Sequence, residues 1–272
     1  MTKSERYFIF QEYDDICFDN IFKIIEGKQA GCIFRNIVDP NTCHHIAENY
    51  WNSSHLQKRK EVEATYLGTY HFMKDLSSYL KEAEFNAVIE QELFKNTENI
   101  LVSFIQKISD EAKKRGYIFR IARYGQQSAS RLLLRSWHGQ DNYSLEPHDD
   151  YYNCLPKDNE DFEIKEVVNH PIVAVNICIE NSVPEEGELL YWNLKYTKEE
   201  REKYQTSSPG YGYPSTLLDG IDKINKPIRA GDIYLFDGQN IHAVGPSRVG
   251  QRRVTISFLM GFNHKKEIIY WT

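Results

Sequence analysis

Apolar residues along this chain follow two different rhythms, and the change falls near residue 115. Before it they recur mostly at intervals of three and four, the spacing of one buried helix face. The longest such run lies between about Glu84 and Lys114, with Val88, Ile89 and Leu93 followed by Ile100, Leu101, Phe104, Ile105 and Ile108. The stretch from Tyr70 to about Lys81 also reads as helix. Another helix should start at Asp39-Pro40-Asn41-Thr42, where a polar cap precedes CHHIAENYW. Short strands are interspersed among these helices.

From residue 117 the runs shorten and become β-branched or aromatic: YIFRIARY, SRLLLRSW, PIVAVNICI, ELLYW, DIYLFD and RRVTISFLMGF. Turn signals such as NSVPEEGE, RAGD and FDGQN separate them. Six or more short strands without intervening helices predict an antiparallel sandwich or barrel. The expected fold is therefore α+β, with a double-stranded jelly-roll core at 116–272 and a largely helical half at 1–115 packed against it. The whole of 1–272 should form one domain. The stretch at about 193–226 breaks the strand pattern; it is rich in Lys, Glu and Tyr and contains SSPGYGYPS. A connection of that length is usually functional or disordered, and its position suits a cover over the mouth of a site. Its tyrosines (Tyr196, Tyr204, Tyr211, Tyr213) suit either packing or stacking on an aromatic substrate.

Composition narrows the function classes. A 41% hydrophobic content supports a substantial core. The net charge of −6 argues against a nucleic-acid partner, because phosphate binding needs concentrated Lys and Arg. Five scattered cysteines, with no C-x-x-C, disfavour both a disulfide framework and a thiolate zinc site. No apolar run approaches the ~18 residues of a membrane span, and the N-terminal stretch turns acidic where a signal peptide needs apolar residues. The expectation is a cytoplasmic, reduced protein with a small-molecule substrate and no membrane partner.

The candidate chemistry lies in EPHDDYY, where His148 and Asp150 stand two residues apart. In a strand such residues share a face, so an imidazole and a carboxylate are able to grip one ion together. His242, in FDGQNIHAVGPSR, is the natural third ligand. Two His and one carboxylate on one face of a metal leave positions open for O2 and a co-substrate, as in non-haem Fe(II) oxygenases. Either motif alone is more often a surface turn or a hydrogen-bonded pair. Their combination gains from Arg252 and Arg253 shortly downstream, since a guanidinium holds a carboxylate bidentately. Alternation puts Arg253, Thr255 and Ser257 on one face of the last long strand and Arg252, Val254, Ile256 and Phe258 on the other. The polar face favours Arg253 with Thr255 for a co-substrate carboxylate; a bulge in the strand would put Arg252 there instead. His44 and His45 read as a solvated helical pair. His138, His170 and His264 sit in loop-like polar context with no partner carboxylate at ligand spacing, while His71 falls on a helix and His55 in a polar stretch.

The order HDD, then Gly187-Glu188-Leu189, then KPIRAGDIYLFDGQNIHAVGPSRVGQRRVTISFLMGF resembles the Fe(II)/2-oxoglutarate dioxygenase superfamily. Within it, LFDG before the His, the paired RR and the ending KKEIIYWT are similar to carrier-independent halogenases of hapalindole- and welwitindolinone-type alkaloids. The resemblance implies Fe(II), 2-oxoglutarate and O2 as cofactor and co-substrates, with His148, Asp150 and His242 as ligands. Those halogenases have Gly at the metal carboxylate position, which leaves room for chloride; here Asp150 fills it. The resemblance thus implies a hydroxylase that releases succinate and CO2. Desaturation, cyclisation and epimerisation would use the same ligands. An oxygenase of peptide or protein side chains and a non-catalytic jelly-roll binding module are the alternatives.

Overall fold

The apolar run near the C-terminus, Arg253–Phe262, becomes a central strand of the larger of two main sheets. The structure is a computed structural model that describes residues 8–59, 64–137, 143–155, 161–204, 212–248 and 250–272. Along the larger sheet the strands run Phe10–Tyr13, Gly31–Phe34, Ile233–Asp237, Val173–Asn181, Arg253–Phe262, Leu133–Trp137, Ala64–Gly68 and Gln57–Lys58. Ile268–Trp271 joins the side of the central strand and carries Phe119–Ile121 beyond it. The smaller sheet runs Lys223–Lys226, Leu189–Lys195, Asn240–Val244 and Leu145–His148.

Alternation along the central strand sorts its two faces. Val254, Ile256, Phe258 and Met260 join Val173, Val175 and Ile177 in the largest core, beneath residues of the helices Phe18–Ile25, Pro40–Trp51 and Ile100–Lys114. Burying each such side chain stabilises by about 1.5–3 kcal/mol. On the other side Ala174, Cys178, Tyr234 and Phe236 pack against Leu189 and Tyr191 of the smaller sheet. The sheet is not confined to the C-terminal half. Four of its strands, between Phe10 and Gly68, come from the N-terminal stretch read as mainly helical.

The helix expected at residue 40 is present, with Pro40 in its first turn and the Asp39 carboxylate accepting from the Asn41 and Thr42 amides. The other two helical readings are redrawn. The chain is helical over Leu76–Leu93 and again over Ile100–Lys114, in place of one run from 84 to 114 and another from 70. Asn96 adopts φ 62°, in the left-handed region that most side chains avoid, and Asn99 then caps the second helix by accepting from the Val102 amide. Asp75 caps the first helix, so Tyr70–Lys74 stays outside it. Val88, read as part of the buried face, is 44% exposed, whereas Ile89 is buried. Among the described residues no helix is long and apolar enough to cross a membrane.

Candidate metal centre

His148 ends the strand Leu145–His148, and His242 lies opposite it in Asn240–Val244. Cross-strand partners share a face, and the two imidazole rings stand 4.2 Å apart between centroids. Asp150 arrives by another route than the strand alternation expected for it. The strand stops at His148, and Asp150 turns at φ −88°, ψ 8° into a short 3-10 helix, Tyr151–Cys154. Its amide donates to the Gly238 carbonyl at 2.7 Å, which ties this turn to the loop just before His242. Oδ2 of Asp150 lies 3.6 Å from Nε2 of His242. One ligand atom from each of the three residues lies within 4.8 Å of the others, and all three residues are buried.

Hydrogen bonds orient each group. Nδ1 of His148 donates to the Glu146 carbonyl at 2.8 Å, and Nδ1 of His242 to the Asn240 carbonyl at 2.9 Å. A carbonyl only accepts, so these bonds put a proton on Nδ1 and make Nε2 the atom of each ring suited to hold a cation. The Asn153 amide donates to Oδ1 of Asp150 at 2.7 Å. Burial, and then the neighbouring His242, hold the His148 imidazole well below its usual pKa, so it stays neutral. Burial pushes the Asp150 carboxyl up, against the pull of His242 and Arg135. A buried carboxylate beside the neutral imidazole of His148 is costly without a cation, so the donor set fits a divalent metal. Gly238 is required for this approach: a Cβ there would collide with Oδ2 of Asp150 and lie 3.0 Å from its Cβ and Cγ.

The cavity over these residues lies between the two sheets and is also lined by Arg253, Thr255 and Ser257. Arg253 is buried, its Nη2 donating to the Tyr234 hydroxyl at 3.3 Å. Its Nε and the Thr255 hydroxyl are buried without a hydrogen-bond partner. Two donors left open in one wall fit an incoming carboxylate. Gly187, at φ +65°, makes room for the arginine, since a Cβ there would lie 2.8 Å from Cδ of Arg253. Arg252 is placed on the other side of the strand. It pairs with Glu48 at 3.1 Å and Glu180 at 3.2 Å and lies over Trp51, away from the cavity. The register irregularity nearby falls between Cys178 and Glu180 of the neighbouring strand, so the alternation from Arg253 to Ser257 is unbroken.

The segment 193–226 touches the site indirectly. Its Arg201 donates from Nε to Oδ2 of Asp149 at 2.9 Å, and the Tyr213 hydroxyl donates to the same oxygen at 2.9 Å. Burial pushes the Asp149 carboxyl up and Arg201 pulls it down. Tyr196 and Tyr213 pack with Trp192 and Ile241 on the smaller sheet, with Tyr204 against them. These three tyrosines do not line the cavity; Tyr211 lies outside the described residues, as does His138. His44, His45 and His264 are exposed. His71, read as helical, instead sits in a buried turn at the cavity wall and bonds the Asn153 carbonyl. Arg59 and Arg135 also line the cavity and were not singled out by the sequence reading. For Arg135 the signal was present: in LLRSW it shares strand phase with Leu133 and Trp137, which are buried.

The chain is a member of the Fe(II)/2-oxoglutarate oxygenase superfamily, whose cofactor set is Fe(II), 2-oxoglutarate and O2. Within it the chain belongs to the carrier-protein-independent halogenase WelO5 family, whose model matches residues 14–272. It is 25% identical over 262 residues to L-isoleucine 3(1)-dioxygenase of Pantoea ananatis (strain AJ13355), covering 92% of this chain and 86% of that one. A solved N-substituted L-amino acid dioxygenase from Burkholderia ambifaria AMMD shares the fold, with a TM-score of 0.58 and 13% identity over 94% of this chain and 91% of that one. Its structure with alpha-KG superposes with a TM-score of 0.55 and 14% identity, over the same shares of the two chains.

Proposed function

We propose that this chain is an Fe(II)- and 2-oxoglutarate-dependent hydroxylase of a small-molecule C–H bond. In this reading 1–272 works as one domain, the two facing sheets forming a double-stranded jelly roll. His148, Asp150 and His242 hold the metal, while Arg253 and Thr255 hold the far carboxylate of 2-oxoglutarate. When bound, the metal with 2-oxoglutarate and O2 supplies oxidation of C–H to C–OH, with 2-oxoglutarate leaving as succinate and CO2. The residues of this chain orient the ligands, keep the His148 imidazole neutral and wall the reacting carbon from water.

The observation that carries hydroxylation over halogenation is Asp150. Its carboxylate completes a three-residue ligand set, and the close approach of Gly238 and the Asn153 amide keep it there. His148, Asp150 and His242 would give the metal three protein ligands, where a Gly in place of Asp150 would leave room for chloride. The relative from Pantoea ananatis, a dioxygenase by name, supports the same outcome. The test is product mass analysis with Fe(II), ascorbate, 2-oxoglutarate, saturating chloride and a panel of small molecules. The expected result is substrate-dependent succinate with a product heavier by one oxygen. Absence of succinate with any compound would favour a non-catalytic binding module, and a chlorinated main product would overturn the hydroxylase reading.

A further inference from the structure

We propose that Arg59 and Arg135 anchor a free carboxylate on the primary substrate, so that this enzyme acts on small carboxylic acids. The inference rests on the oxygenase reading above and adds the chemical class of the substrate.

Arg135 pairs in register with Thr255 of the central strand, and cross-strand partners share a face. Arg135 and Thr255 accordingly line the same cavity as His148, Asp150 and His242, and Arg59 joins them there. Nε of each arginine is buried with no hydrogen-bond partner. Among the described residues no carboxylate comes within ion-pair distance of either guanidinium, whereas Arg201 and Arg120 each have one. What holds the pair is aromatic. Trp137 lies 5.4 Å from the Arg59 guanidinium carbon and 5.3 Å from that of Arg135, and Tyr70 lies 4.6 Å from Arg59. Stacking of this kind fixes a planar cation while leaving its N–H donors free.

Two like charges in a dry wall are costly unless an anion joins them. Burial first, and Arg59 second, pull the Arg135 guanidinium down to about 10, which still leaves it charged at neutral pH. Asp150 opposes that shift, but its carboxylate is committed to Asn153 and to the ligand set. Nor is 2-oxoglutarate the anion wanted here. In the oxygenase reading its keto-acid end would go to the metal, and its far carboxylate to the open donors of Arg253 and Thr255. The Arg59–Arg135 pair is a third set of donors, and a second organic acid satisfies it.

The experiment is calorimetry on protein loaded with Mn(II), which does not turn over, and saturated with 2-oxoglutarate. The probes are aliphatic, aryl and amino acids, L-isoleucine among them, each beside its primary carboxamide. Binding is expected for acids only, with each amide weaker by at least about tenfold, as loss of a charge-assisted contact implies. Arg59→Gln and Arg135→Gln should each weaken the bound acid by roughly ten- to a hundredfold, with 2-oxoglutarate affinity unchanged. Should Arg135→Gln fail to fold or take up Mn(II), Arg59→Gln carries the test. Amides binding as well as acids would overturn the proposal. So would variants that weaken 2-oxoglutarate in place of the acid, or a panel in which nothing binds. In the last case, intact Mn(II) and 2-oxoglutarate binding would leave the oxygenase reading standing; loss of 2-oxoglutarate binding in the wild type would sink both.

Discussion

Gly238 and Asp150 meet so closely that no side chain fits between them: a Cβ on Gly238 would collide with the carboxylate oxygen that faces His242. The Gly238 carbonyl also accepts the Asp150 amide. One residue of the FDGQN turn therefore both ties down the Asp150 backbone and clears space for its side chain. Gly238→Ala should weaken Mn(II) binding by about ten- to a hundredfold, the usual effect of disturbing the support of a metal ligand. Metal titration by calorimetry checks this, with unchanged circular dichroism as the control. Full metal affinity in the variant would mean that Asp150 does not need the close approach.

The two adjacent arginines should separate cleanly. Arg253→Leu removes a buried donor in the cavity and is expected to raise KM for 2-oxoglutarate by more than about tenfold. Arg252→Leu should leave that KM unchanged and lower stability by at most about 1 kcal/mol, because its partners Glu48 and Glu180 are partly exposed. Initial rates at varied 2-oxoglutarate, with urea unfolding alongside, measure both. The reverse pattern would show that Arg252 serves the co-substrate.

This contrast marks what was legible in the sequence. Alternation sorted Arg253 from Arg252 because the irregularity that would have swapped the faces lies in the neighbouring strand, at Cys178–Glu180. The His148–Asp150 spacing suggests strand alternation, whereas the strand ends at His148 and Asp150 lies in the turn after it. Asp150 is aimed by Gly238, a contact between distant stretches of chain that periodicity does not encode. Helix ends between 93 and 100 were missed because the apolar spacing continues through them, while Asn96 and Asn99 supply the break through backbone conformation and capping. Arg59, in the charged run QKRKEVE, reads as a solvated face, and Arg135, beside apolar residues, as a strand's solvent end, until tertiary structure shows what faces them.

Asp149, between two candidate ligands, is bound by Arg201 from the 193–226 segment, and both side chains are almost wholly buried. Removing one partner of a buried ion pair strands the other charge, at a typical cost of about 3–5 kcal/mol. Arg201→Met should therefore destabilise by about that much, and Tyr213→Phe, which deletes one hydrogen bond to Asp149, by about 1–3 kcal/mol. Adding Asp149→Asn to Arg201→Met should recover part of the loss. Urea unfolding of the set decides it; simple additivity would mean that the segment is not latched through this pair.

Burial brings the His71 imidazole down to about 4. The unfolded chain then binds a proton that the folded one refuses, between pH about 6.5 and about 4, so stability falls as pH drops through that window. For this one group the loss comes to about 3 kcal/mol across the window. His71→Gln keeps a donor toward the Asn153 carbonyl but has no titration. Wild type should lose about 3 kcal/mol more than the variant between neutral pH and the acid end. Parallel pH profiles of unfolding free energy would show that His71 is not held neutral.

Asp150→Gly asks whether an open coordination position is enough for halogenation. The substitution takes a carboxylate from the two imidazoles, leaves the Asn153 amide without its acceptor, and removes the negative charge that Arg135 faces. Metal affinity should fall by about tenfold or more, since one of three ligands is gone. Chloride has charge on its side, because Arg135 would lose the attraction of the Asp150 carboxylate, but nothing in the variant repositions the substrate. Hydroxylation depends on holding one C–H bond against the metal within a fraction of an ångström; the variant keeps the cavity walls and loses the ligand that orients the reacting face. Hydroxylated product should drop by at least about a hundredfold, with chlorinated product a trace or absent. Mass analysis of both products under saturating chloride, wild type beside variant, tests this. A variant that chlorinates as fast as the wild type hydroxylates would show that Asp150 alone sets the choice of reaction and that the surrounding wall is already shaped for either.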